Sequence, residues 1–332
     1  MKKLAFLSII VFLIVSCTPR TTFHKKNFSG MAQGTYYAVT YFDHLDRNFQ
    51  PQVDSILKAF DMSVSMWEPQ SVISKINRGE DVECDSFFIS TYLLSMSVAE
   101  ESGGAFDYTI GPLVNAWGFG FEDRQKVDQA MVDSLLPLVD YHYVRLDGKH
   151  IMKEKEGIKF DFNAVAQGYS VDLLGQFLAS KGIENYLVDI GGEVLGRGEK
   201  PGMGPWLVGI EKPSEDEMAE RKLEATIELK NMAMATSGNY RKFYEEDGVR
   251  YSHTIDPETG FPVTHTLLSV SVLATDAGTA DAWATAFMVM GLEKARNFLD
   301  DRDDLEAFFI YSGEDGSLNT YATEGMKKLL RK

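Results

Sequence analysis

The chain has 332 residues, 44% hydrophobic and 12% aromatic, enough to bury one large core or two merged ones. Its 33 Lys and Arg stand against 49 Asp and Glu, a net charge of −16, and no basic run interrupts it, which argues against nucleic acid as a partner. An acidic protein exerts no long-range attraction on a phosphorylated ligand, so any such ligand needs a metal or local backbone donors to offset its charge.

At the amino terminus, Lys2 and Lys3 precede the apolar run Leu4 to Val15, which has the length of a signal-peptide core and is short for a bilayer span. The run ends in Ile14-Val15-Ser16-Cys17, which resembles a bacterial lipobox, and Thr18-Pro19-Arg20 breaks any helix continuing through it. The expectation is a signal peptide over 1–16, a lipidated Cys17 opening a tether over 17–30, and one folded body over 31–332. Acyl chains on Cys17 would anchor the protein to a membrane of the bacterial cell envelope, expected to be the inner one, with the body facing the periplasm. Cys84 is then the only other cysteine, so no intramolecular disulfide can form and stability rests on the core.

Thr35 to Phe42 alternates as a strand, and Val53, Ile56, Leu57 and Phe60 follow the spacing of an amphipathic helix. Phe88, Tyr92, Met96 and Ala99 mark a second helix. Lys159 to Phe162 reads as a short strand, after which Asp161 to Tyr169 opens a helix carrying Val171, Leu174 and Leu178 and capped by Gly182. Tyr186 to Ile190 is an apolar strand stopped by Gly191-Gly192. Two hairpins follow, Arg241–Tyr244 with Val249–Thr254 around Glu246-Asp247-Gly248, and Phe308–Tyr311 with Leu318–Tyr321 around Glu314-Asp315-Gly316. Hairpins mixed with isolated helices predict an α+β fold with a largely antiparallel sheet.

Several chemistries are absent. Gly118-Phe119-Gly120 lacks the third glycine of a dinucleotide fingerprint, and neither a Walker-type loop, a His-Glu-x-x-His nor a Cys-x-x-Cys occurs. Zinc is therefore not expected, and His24, His44, His142, His150 and His265 read as surface or structural residues. The segment Tyr251 to His265 instead joins a strand-like run to His253, Asp256 and a turn bounded by Pro and Gly, which presents a titratable group at a cleft. Asp281 and Thr285, four apart on a helix opened by Asp276, point two oxygen ligands one way, as a hard cation requires. That helix face is expected to be exposed. Ser65 to Asn77 joins Trp67 to a turn and several hydroxyls, and Gly103 to Gly118 sets small residues beside Phe106 and Asp107. Taken singly, Trp67 and Phe106 read as core aromatics, and Asp161 as a helix cap.

Together with Ala235-Thr-Ser237-Gly238, Ser252 to Gly260 and Ala280-Asp281-x-x-x-Thr285, these segments resemble the ApbE-type FAD:protein FMN transferase family over roughly residues 28–330. The resemblance implies a flavin transferase fold with FAD in a cleft and a Mg2+-dependent cut of the FAD pyrophosphate. FMN would pass to a Thr or Ser hydroxyl of a partner protein, and AMP would leave. By position, Gln33, Trp67, Ala105, Phe106, Asp107, Asp161, Gln167 and Thr254 fall at FAD-binding places, and His253 at the proposed catalytic base. The backbone oxygen of Ala164 and the side chains of Asp281 and Thr285 fall at the metal. Acceptors implied are exported or membrane proteins with exposed hydroxyls, such as flavin-carrying subunits of membrane redox complexes. Two departures stand out: Gln33 where relatives often carry Met, and Gln167 where they often carry Lys, which removes a cation near the phosphates. Two alternatives stay open on sequence alone, an FAD pyrophosphatase releasing FMN and AMP, and a tethered FAD-binding protein without activity.

Overall fold

The computed structural model describes residues 22–120, 125, 127–214, 222–239, 243–246 and 249–331. The expected signal peptide and Cys17 lie outside them. The chain begins with β1 (His24–Ala32) and β2 (Thr35–Asp43), then α1 (Gln50–Val64), α2 (Val72–Asn77), α3 (Ser86–Glu101), α4 (Gly111–Ala116) and α5 (Gln129–Leu135). A small hairpin of β3 (Val144–Asp147) and β4 (His150–Lys153) precedes α6 (Ala166–Ser180), β5 (Asn185–Ile190) and β6 (Glu193–Arg197). Next come β7 (Trp206–Glu211), β8 (Leu223–Leu229), β9 (Met232–Gly238), β10 (Phe243–Glu246), β11 (Val249–Ser252) and β12 (Leu267–Ala274). The long α7 (Ala277–Leu299), β13 (Glu306–Ser312), β14 (Leu318–Ala322), α8 (Glu324–Leu329) and β15 (Leu330–Arg331) complete it.

An eight-stranded sheet ordered β1-β2-β5-β6-β9-β12-β13-β14 forms the centre, and its paired strands run antiparallel throughout. Strand pleating sends neighbouring residues to opposite faces. Thus Leu195 and Ala233 pack with Val171, Leu174 and Leu178 of α6, while Val194 and Met234 pack on the other face with Trp206, Ile227 and Leu229 of the three-stranded sheet β15-β8-β7. The core therefore divides between two layers flanking one sheet. The helices form where the apolar spacing predicts: Val53, Leu57 and Phe60 are buried on α1, and Phe88, Tyr92 and Ala99 on α3. Asp85 and Asp276 cap α3 and α7 by accepting the amides of Phe88 and Thr279 at 2.9 Å each. Gly182, at φ 78, closes α6 with its amide on Ala179 O at 2.9 Å. Among the described residues no helix is long and apolar enough to cross a membrane.

Four expectations are corrected. Residues 24–30, assigned to the tether, belong to β1, which pairs with β2 along its full length from His24 opposite Asp43 to Ala32 opposite Thr35. Phe28 holds this edge strand by packing edge-on against Tyr37 and Tyr41, with ring centroids 6.4 and 6.1 Å away. Lys159 to Phe162 is not a strand; it makes one isolated bridge, Lys159 with Ile110, and is held by the side-chain amide of Asn77, which exchanges hydrogen bonds of 2.9 and 2.7 Å with the Phe160 backbone. Asp161 does not open a helix, because α6 starts only at Ala166. The first hairpin pairs Phe243–Glu246 with Val249–Ser252, so Thr254 lies past its strand and residues 241–242 lie outside the described residues. The second hairpin forms as expected.

Candidate active site

A cleft of about 1100 Å³ opens where the β1–β2 turn, the end of α1, the loop at 105–110, the 161–167 turn, the 253–257 segment and α7 meet. That volume suits an extended, dinucleotide-sized ligand. All twelve residues singled out for FAD, metal or catalysis line it: Gln33, Trp67, Ala105, Phe106, Asp107, Asp161, Ala164, Gln167, His253, Thr254, Asp281 and Thr285.

The centre of the cleft is the crossing of α6 and α7. Gly168 on α6 has no side chain because a methyl group there would lie 2.2 Å from Ala277 O and 2.7 Å from Asp281 Cβ. The close approach lets the Gly168 amide donate to Asp281 Oδ2 at 3.0 Å, turning it away from the carbonyl four residues earlier, that of Ala164. Asp172, one turn further along α6, accepts the amides of Ala277 and Gly278 at 2.8 Å each and so fixes the start of α7. Asp281 is 7% exposed, not on an open helix face, and burial pushes its carboxyl up to about 7. Thr285 follows it on the same face, with its hydroxyl 3.1 Å from Ser237 Oγ on β9.

This donor set fits a hard cation. A buried carboxylate with one amide donor, and no cationic partner among the described residues, has an unmet demand for positive charge. The Thr285 hydroxyl, one turn along the same helix, adds a neutral oxygen, and Ala164 lines the same cleft. Among the described residues no group of three or more His, Cys, Asp or Glu lies together as a metal cage.

His253 follows β11, is half-buried, and stands edge-on to Phe119 with ring centroids 6.3 Å apart. The turn behind it is closed by Gly260 N on Asp256 O at 2.8 Å and Asp256 N on Phe261 O at 2.9 Å. Trp117 clamps that turn from α4 by donating Nε1–H to Gly260 O at 2.9 Å. Thr254, 7% exposed, is held by its carbonyl, which accepts Val263 N at 3.0 Å.

Asp107 staples the loop from within. Its Oδ1 accepts the Thr109 amide and hydroxyl at 2.7 and 2.6 Å and its Oδ2 accepts Tyr141 N at 2.9 Å, which fixes Ala105 and Phe106 at the cleft wall. Asp161 accepts Asn163 N at 2.8 Å and is raised to about 6 by burial, so it shapes the turn that carries Ala164. Phe106 is buried, as a core aromatic would be, but Trp67 is 59% exposed at the rim, free to cover a planar ligand. The hydroxyls near it are structural: Ser71 caps α2 and donates to Ser65 O at 2.7 Å. Gly191, at φ 66, brings the β5–β6 turn against Thr35 and the Gln167 amide. Among the cleft residues that went unrecognised in the sequence are Asp61, on the last turn of α1, Asp189 and Glu193. Only the polar break that Asp61 makes beside Phe60 signalled it.

The fold is that of solved flavin transferases. The flavin transferase ApbE from Vibrio cholerae superposes with a TM-score of 0.83 at 32% identity, over 93% of this chain and 100% of that one. The apo flavinyl transferase ApbE from Pseudomonas stutzeri gives 0.82 at 32% identity, over 92% of this chain and 97% of the other. Among curated relatives, an FAD:protein FMN transferase from Vibrio cholerae is 34% identical over 93% of both chains, and one from Escherichia coli K12 is 32% identical over 84% of this chain and 81% of its own. The family model described as the ApbE family matches residues 33–309, and the chain belongs to that family.

Proposed function

We propose that this protein transfers the FMN moiety of FAD to a Thr or Ser hydroxyl of an acceptor protein, releasing AMP. The observation that carries this reading is that Asp281, held at the α6–α7 crossing by the Gly168 amide, lines one cleft together with Thr285, Ala164 and His253. Mg2+ held there would offset the charge that gathers on the pyrophosphate as it is cut. His253 takes the proton from the acceptor hydroxyl, whose oxygen bonds to the phosphorus of the FMN half as the bond to the AMP phosphate breaks. Trp67 offers an exposed apolar face to a ring system, Phe106 backs the wall, and the backbone fixed by Asp107 and Asp161 shapes the cleft beside them.

The test incubates the purified protein with FAD, Mg2+ and a candidate acceptor, and resolves AMP, free FMN and flavin-labelled protein. Labelled acceptor with equimolar AMP supports transfer; free FMN alone would make the protein an FAD pyrophosphatase; intact FAD would leave a carrier.

The location belongs to the same proposal. Lipidation at Cys17 would hold the body near a membrane of the cell envelope, and because β1 begins at His24, the free tether is shorter than the sequence suggested. Acceptors are then exported or membrane-embedded proteins, such as flavin-carrying subunits of redox complexes. Replacing Cys17→Ala should release the protein from membrane fractions while its activity in solution persists; membrane retention of that variant would remove the lipid anchor.

A further inference from the structure

One part of the cleft has polar chemistry that neither the metal nor His253 uses. Gln33 occupies the two-residue β1–β2 turn with Gly34, at φ 51 and 72. The left-handed region is strained for a non-glycine residue, so the turn places a side chain where glycine would be easier. Ser170 Oγ lies 3.2 Å from Gln33 Oε1, which turns the Nε2 group toward Asp61 at the end of α1. That Nε2 is buried and has no hydrogen bond of good geometry. Burial raises the Asp61 carboxyl to about 6, and the Gln33 amide beside it offsets part of the rise. A buried donor without a well-formed hydrogen bond thus stands beside the Asp61 carboxyl, in the cleft that Phe60 and Trp67 also line. A buried amide without a partner carries a desolvation cost that a ligand can recover.

We propose that Asp61 and Gln33 are a specificity pair that recognises the polar edge of one of the two ring systems of FAD, Asp61 accepting a ring-edge N–H and the Gln33 amide donating to the adjacent ring acceptor. The flavin imide and the adenine edge both offer that donor beside an acceptor; an aliphatic or ribose segment does not. The inference rests on the reading that FAD occupies the cleft, and it gives a purpose to Gln33 that an apolar residue at the same place could not serve.

Binding of FAD, FMN and AMP to wild type, Asp61→Asn and Gln33→Met, measured by titration calorimetry with thermal unfolding as a fold control, tests it. Each variant should weaken FAD by about tenfold, the worth of one such hydrogen bond. The same loss should appear with FMN if the ring is the flavin, or with AMP if it is the adenine. FMN methylated at ring N3 and AMP dimethylated at its exocyclic amine provide the second readout: wild type should reject the one whose donor it reads, and Asp61→Asn should discriminate much less. Folded variants that bind FAD, FMN and AMP as wild type does would overturn the pair while leaving the flavin reading intact. A wild type that binds no FAD would overturn both.

Discussion

Replacing Gly168→Ala tests whether the close crossing of α6 and α7 builds the site. The added methyl would sit 2.2 Å from a backbone carbonyl oxygen and 2.7 Å from Asp281 Cβ, and neither is the tip of a flexible side chain. The helices must part by about 1 Å before ordinary van der Waals contact returns. Two terms oppose each other. Alanine is favoured over glycine inside a helix by about 0.5–1 kcal/mol, whereas overpacking costs about 1–3 kcal/mol. Parting the helices also stretches the 3.0 Å bond from Gly168 N to Asp281, worth about 1 kcal/mol. Destabilisation wins, by roughly 1–3 kcal/mol. Turnover should fall further, by ~100-fold, because Ala164 and Asp281 sit on the two sides being separated and a 1 Å misplacement has that effect. Urea unfolding reads the first quantity, and AMP release from FAD in Mg2+ reads the second. A variant more stable than wild type would refute the close approach, and wild-type turnover would refute the role of the crossing in assembling the site.

Asp281→Asn keeps an acceptor for the Gly168 amide while removing the charge, so it should fold normally and lose AMP release, whereas Asp281→Ala should also lose about 1–3 kcal/mol by orphaning that amide; Thr285→Ala, deleting a neutral ligand, should be milder, and near-normal AMP release by Asp281→Asn would dismiss the metal assignment. His253→Ala should bind FAD in calorimetry yet transfer FMN ~10²–10⁴-fold more slowly, and a proportional loss of affinity and rate would make His253 a ligand contact instead. Buried Asp43 accepts Arg47 Nε and Nη2 at 2.9 and 2.8 Å, which holds its carboxyl well below the usual carboxylate range. A depressed folded-state value stabilises above the unfolded one, near 4, and that stability drains away as pH falls below it. Asp43→Asn should therefore cost about 1–2 kcal/mol at pH 7, discounted for the partly exposed Arg47, and the gap in urea midpoints from wild type should close toward pH 2; a gap independent of pH would show that packing, not the ion pair, carries the effect.

Periodicity alone determined the helices at 50–64 and 86–101 and the strand at 185–190, because each buries one face and its apolar residues repeat at the spacing of that face. Spaced motifs likewise determined the family and named twelve residues that line one cleft, since close backbone approaches and turns demand particular residues wherever they occur. β1 escaped notice because Phe28, Gly30 and Ala32 make a weak inward pattern on an edge strand that only Tyr37 and Tyr41 complete from across the sheet. The 159–162 segment mimicked a strand because its extended backbone is satisfied by the Asn77 amide, 83 residues away in sequence, and not by a ladder. Spacing put Asp281 and Thr285 on one helix face but could not say that this face is buried against Gly168, 113 residues earlier. The same holds for Asp61, whose place beside Gln33 depends on how α1 is carried back over the β1–β2 turn. A sequence records which residues can share a face; which faces meet, and so which carboxylates lose their water, is decided only when the helices pack on the sheet.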